Sequence, residues 1–238
     1  SLLLFAAFVD ERKDQDWLEH LRTIKTSDDS EILKRFHEIY GSEVVSKRNP
    51  IRDLESFAKL VGWLIVSHHR LPIYPYKLND GGANLERLTL ESNEWGANWN
   101  SPQSSSGDWS PSDWKAVFNF KHGTPVTSFK WCNQAHTLAK RALQLPQLSK
   151  TDWLETDNFT SHIARLSLIL ADHSYSSQEQ EPGYQDPDYQ VFANTDRKTG
   201  KTKQQLDEHN LAVGRNAYLF ASKLPQLRAE LPALDEPK

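Results

Sequence analysis

The stretch Leu60-Val61-Gly62-Trp63-Leu64-Ile65-Val66-Ser67-His68-His69-Arg70-Leu71-Pro72 decides how this chain is read. From Leu60 to Val66 it carries no charge, and a helix that is apolar all round is a buried one. Pro72 and Pro75 end it, because the residue before a proline is pushed out of the helical region; the expected helix runs from Leu54 to Pro72. Two imidazoles thus stand side by side at the end of an apolar rod. Neighbouring helical side chains point about 100° apart, so the pair serves two adjacent ions, or one ion where the last turn loosens. The plainer alternative is one His donating to a core carbonyl and the other in water.

A second segment has the same grammar. His162-Ile163-Ala164-Arg165-Leu166-Ser167-Leu168-Ile169-Leu170-Ala171-Asp172-His173 is nearly all apolar and delivers a carboxylate near its C-terminal end. The helix dipole disfavours negative charge there. Burying that charge costs several kcal/mol unless it is paired or bound to a metal. Something cationic should face Asp172: an arginine such as Arg70 or Arg165, or a metal ion. Two His and one Asp give an N,N,O set that hard or borderline divalent metals (Mn, Fe, Ni, Zn, Mg) accept.

Around these two rods the chain reads as mostly helical. Residues 1–25 and 28–41 each read as a helix, the latter with Asp28, Asp29 and Ser30 as N-cap candidates and Gly41 as a stop. Helices resume near 126–145 and 151–173, and the last spans about 204–222. Two long loops are expected, about 73–115 and 176–203. The first holds Trp95, Trp99, Trp109 and Trp114, aromatic anchors that dock a loop. The second opens with Glu179, Glu181, Asp186 and Asp188, and is followed by Arg197, Lys198, Lys201 and Lys203. No strand or repeat is evident. Glycine is scarce, at 10 residues, below the usual ~7%.

Composition bounds the rest. A length of 238 residues suits a single domain over 1–238 with a real core. With 28 Lys plus Arg against 32 Asp plus Glu, the net charge of −4 excludes a generally basic nucleic-acid coat. Any DNA contact must be local. One cysteine, Cys132, excludes a disulfide framework and a four-cysteine zinc site, and suits the reducing cytoplasm. The apolar opening Leu2–Val9 lacks a basic leader and is far short of a ~20-residue membrane span. The absence of methionine, even at position 1, points to a longer reading frame or a processed chain. Gly200-Lys201-Thr202 lacks the earlier glycine of a phosphate loop, and Asp207-Glu208-His209 lacks the His spacing of a zinc protease.

The segment Gly62–Pro72 resembles the double-histidine motif of the histidine–aspartate (HD) nuclease domain in CRISPR-associated helicase–nucleases, in particular the type I-F branch. Leu170-Ala171-Asp172-His173-Ser174-Tyr175-Ser176-Ser177 is similar to that branch's late aspartate motif. Asn194-Thr195-Asp196-Arg197, Gly200-Lys201 and Leu206-Asp207-Glu208-His209 resemble its C-terminal segment, and Ser1–Phe5 the helix after its early histidines. The resemblance implies an all-α HD-superfamily metal-dependent phosphohydrolase domain with one or two divalent ions (Mn, Ni, Fe, Co or Mg). Such a domain cuts single-stranded DNA fed by an adjoining helicase, which alone uses ATP. A crRNA-guided surveillance complex recruits it, and the CRISPR integrase and phage anti-CRISPR proteins are further partners.

Carried over by position, His68, His69 and Asp172 are the implied metal ligands and catalytic residues. The family's earlier His and His-Asp ligands have no counterpart here: no His is followed by Asp, and His20 and His37 sit in ordinary amphipathic patterns. An isolated chain of this sequence is therefore expected to bind metal and cut DNA poorly. Arg70, Arg197, Lys198, Lys201 and Lys203 are candidate DNA contacts, although 197–203 equally well neutralises the acidic loop before it. Two other readings stay open, a protein-docking module and a nucleotide phosphohydrolase on the same scaffold.

Overall fold

The structure is a computed structural model that describes residues 1–40, 50–51, 54–68, 118–148, 152–154, 158–196 and 198–230. Its helices are α1 (Leu2–Val9), α2 (Asp14–Thr23), α3 (Asp29–Tyr40), α4 (Ser56–Ser67), α5 (Phe129–Ala142), α6 (Asn158–Ser176) and α7 (Leu206–Glu230). Among the described residues there are isolated bridges but no strand, so the fold is all-α. No described helix is long and apolar enough to cross a membrane. The Trp-rich part of the expected first loop lies outside the described residues, as does Gly41.

Residues 1–25 form two helices rather than one. Asp10 and Glu11 adopt left-handed φ of 49° and 59°, a conformation costing about 1–2 kcal/mol per residue that Asp tolerates better than most side-chain-bearing residues. The reversal folds α2 onto α1, so that Trp17 meets the Phe5 ring edge-on at 5.7 Å and joins Val9 and Leu18 in the core. It also frees Asp14 for a second task. Asp14 Oδ2 and Oδ1 accept from the Phe57 and Ala58 amides at 2.8 and 2.9 Å, and Glu55 Oε2 accepts from the Asp14 amide at 2.7 Å. One buried carboxylate thereby caps α4 across space. That cap explains why α4 begins at Ser56 instead of Leu54.

Within α4, Ala58, Leu60, Gly62, Trp63 and Ser67 are buried, while Val61, Leu64, Ile65 and Val66 are half-buried. The rod is packed on most sides, not all. Gly62 serves a close approach: an added Cβ would stand 3.3 Å from both Ile51 and Leu2 side chains. Trp153 and Leu154 pack on Leu60 and Trp63, and the Trp153 amide donates to Ser56 Oγ at 2.9 Å. Residues 152–154 therefore dock on α4, and α6 starts at Asn158 rather than 151.

The helix expected near 126–145 is α5, capped by Ser128 Oγ, which accepts from the Trp131 amide. Its small face (Cys132, Ala135, Ala139) is buried, and α5 packs on α2. Cys132 donates to the Val126 carbonyl at 3.2 Å, and burial raises its thiol pKa. Iodoacetamide near pH 8 should leave the native thiol unmodified and label it only after unfolding. Equal labelling rates with and without denaturant would contradict that.

Against expectation, α6 hides its polar side. Ser161, Ser167, Ala171, Asp172 and Tyr175 are buried, whereas Phe159 is 77% exposed and Leu166 and Leu170 are each 42% exposed. The partner face of α7 supplies Ala212 and Val213. The loop between α6 and α7 is a hydrogen-bonded ribbon, bridged at Phe192–Gln205 and Thr195–Thr202.

Candidate functional site

Asp172 is buried on α6, and among the described residues His209, not Arg165, faces it; Arg70 lies outside them. His209 Nε2 lies 2.9 Å from Asp172 Oδ1. On the other side of that ring, Asn194 Nδ2 faces His209 Nδ1 at 3.5 Å and bonds Gln204 Oε1 at 2.9 Å. An amide nitrogen only donates. The network therefore places the His209 proton on Nε2, where it donates to Asp172. Gln204 in turn donates to the carbonyls of Tyr175 and Gln178. A relay of buried polar groups thus runs from the α6 C-terminus through the ribbon to α7 and fixes the Asp172 carboxylate.

Arg165 points elsewhere. Its Nε and Nη2 donate to the Ser67 carbonyl at 3.0 and 2.8 Å, and burial lowers its pKa. This clamp ties the end of α4 to α6. Arg165 and Asp172 are about two turns apart and on the same side of α6. His68 follows Ser67 immediately, and its Nδ1 lies 2.8 Å from the Ile65 carbonyl. A carbonyl only accepts, so Nδ1 carries a proton. That is the core-carbonyl contact of the plainer sequence reading, and it is also a contact by which metal-ligating histidines are held.

These two donors fit a divalent ion in kind: an imidazole held at Nδ1 and a carboxylate oriented by an outer imidazole. Ser67 Oγ, beside His68 in the chain, is buried with no hydrogen-bond partner among the described residues. Among the described residues, no three His, Cys, Asp or Glu side chains gather as a ligand group. His69, Arg70 and Arg197 lie outside them.

The Asp207-Glu208-His209 run, set aside as a protease look-alike, carries three separate duties. Asp207 accepts from Ser128 Oγ at 2.6 Å, Glu208 accepts from Tyr175 Oη and the Glu181 amide at 2.8 Å each, and His209 holds Asp172. Burial and Glu208 together raise the Tyr175 pKa. At the outer turn of the ribbon, Asp196 Oδ1 accepts from the Lys198 and Thr199 amides and Thr199 Oγ1, bonds that lower its pKa. Lys198 and Lys201 are exposed on this turn, and the field of Lys203 reaches Asp196.

The all-α fold is the class that an HD-type domain requires. No family model matches the chain. Across its whole length, however, the chain is 38% identical over 243 residues to the CRISPR-associated nuclease/helicase Cas3 subtype I-F/YPEST of Pectobacterium atrosepticum, covering 22% of that protein. It is 36% identical over 238 residues, 98% of the chain, to the protein of the same name from Pseudomonas aeruginosa, covering 21% of it. The chain is similar along its length to these subtype I-F Cas3 proteins and spans about a fifth of the length of these curated relatives.

Proposed function

We propose that this chain contributes an HD-type, divalent-metal-dependent nuclease site to CRISPR interference, cutting single-stranded target DNA. The single observation that carries the reading is the His209–Asp172 pair, which holds a buried carboxylate in one orientation at 2.9 Å. His68, His69 and Asp172 would hold the ion, with His68 presenting Nε2 and Asp172 presenting its carboxylate. When bound, a divalent ion supplies Lewis acidity, lowering the pKa of its water towards ~7 and neutralising developing charge on phosphate. The metal would be Mn, Ni, Fe, Co or Mg.

In this reading the protein's own contribution is placement. The Arg165 clamp sets the end of α4 against α6, and His209 keeps the carboxylate from rotating. Arg70, Arg197, Lys198, Lys201 and Lys203 would meet the strand through phosphates. An adjoining helicase would feed the strand and consume the ATP, and a crRNA-guided surveillance complex would recruit the enzyme in the cytoplasm. The CRISPR integrase and phage anti-CRISPR proteins are proposed partners as well. A second reading, a docking module for such proteins, draws on the exposed Phe159, Leu166 and Leu170 of α6.

The test uses the intact nuclease/helicase on circular single-stranded DNA. Chelation should abolish cleavage and Mn²⁺ should restore it. His68→Ala and His69→Ala should each lose more than about 90% of cutting while the helicase hydrolyses ATP at the parental rate. Cleavage by His68→Ala at the parental rate would overturn the assignment.

A further inference from the structure

Two packed helices, α5 and the part of α7 between His209 and Ala229, carry only basic charged residues in a chain of net charge −4. α5 holds Lys130, Lys140 and Arg141 and no carboxylate; α7 holds Arg215 and Lys223, with no Asp or Glu between His209 and Ala229. Lys130 and Arg141 are about three turns apart, so they share a side of α5 with a rise of about 16 Å between them. Aromatic rings fix the cations in place. Lys130 Nζ and Arg215 Cζ lie 5.8 and 5.6 Å from the Tyr184 ring centre, and Arg215 also donates to Tyr184 Oη. Lys130 further donates to the Tyr184 carbonyl at 3.1 Å. At the other end Arg141 lies 5.8 Å from the Tyr218 ring centre, and Tyr218 is 64% exposed. Glu181 is within electrostatic reach of Arg215.

We infer that this α5–α7 ledge binds single-stranded nucleic acid. Lys130, Arg141 and Arg215 take phosphates, and the outer face of Tyr218 stacks a base. The span suits roughly four or five stacked nucleotides at ~3.4 Å each, within the range of single-strand sites. The ring argues for the partner. A duplex keeps its base faces stacked inside, and an acidic peptide has no π-face to place on a tyrosine, whereas an unpaired base offers both charge and face. The ledge uses none of His68, His69 or Asp172, so it stands or falls separately from the nuclease assignment.

Fluorescence anisotropy of the 238-residue chain with a labelled oligothymidylate, in EDTA so that no cutting occurs, tests the inference. Affinity should fall with salt. Lys130→Glu/Arg141→Glu/Arg215→Glu should weaken binding about tenfold or more near ~100 mM salt and flatten the log–log salt slope by about 2. Tyr218→Ala should weaken binding roughly fivefold or more, and Tyr218→Phe should stay within about twofold of the parent. Circular dichroism melts establish that each variant is folded, and the exposed single change Arg141→Glu stands in if the triple variant is not. Undetectable binding, parental affinity in Tyr218→Ala, equal affinity for duplex, or displacement by polyglutamate at equal concentration would each overturn it.

Discussion

Asp172→Ala in the intact nuclease/helicase is expected to cut metal-stimulated DNA cleavage by more than ~100-fold, and His209→Ala to raise the metal concentration for half-maximal activity by about 10- to 100-fold. The two effects differ in kind because the residues differ in role. Asp172 would touch the ion, so no metal concentration should rescue its loss. His209 is a positioning residue: without its Nε2–H the carboxylate keeps its charge but loses the contact that holds Oδ1 at 2.9 Å. Excess metal should then restore much of the rate. His209→Gln keeps an N–H donor near the same place and should fall between the parent and His209→Ala. A purely structural His209 would lower the melting temperature and leave the metal titration unmoved, which is the result that would sink this assignment.

The helices that follow simple rules were legible from sequence. α5 announces itself through its cap and small buried face, and α3 through its stripe of Ile32, Phe36 and Tyr40, all buried. What escaped was decided by tertiary contacts. Asp10 and Glu11 look like ordinary helix surface, and only the need to fold α2 back on α1 makes them left-handed. α6 reads as a greasy rod, yet its buried face includes Ser161, Ser167 and Asp172, and His209 on α7 satisfies the carboxylate there. His209 was the largest omission. Asp172 demanded a partner by electrostatics alone, but no spacing rule links it to an imidazole on another helix. The likeness of the Leu206–His209 segment to the family's C-terminal motif was the available clue, and it concerned the run rather than the role of its histidine.

Asp14→Ala should be the most destabilising single change at a helix end in this chain. Asp14 is 2% exposed, and its carboxylate accepts from three donors: the Phe57 amide, the Ala58 amide and Trp17 Nε1. Charge-assisted bonds of this kind contribute about 1.5–3 kcal/mol each, and their loss orphans two amides at the start of α4. The contributions are not additive, so about 3 kcal/mol is the expected loss, or a melting temperature lower by roughly 6–12 °C. Asp14→Asn retains one acceptor oxygen and should lose about half as much. Glu55 completes the arrangement from the opposite direction by accepting the Asp14 amide. A double-mutant cycle on Asp14→Ala and Glu55→Ala should therefore show coupling of at least ~0.5 kcal/mol. Additive effects, or a loss below about 1 kcal/mol for Asp14→Ala, would mean that α4 is held by packing of Ala58, Leu60 and Trp63 alone. The distinction reaches the site, because α4 is the element that carries His68.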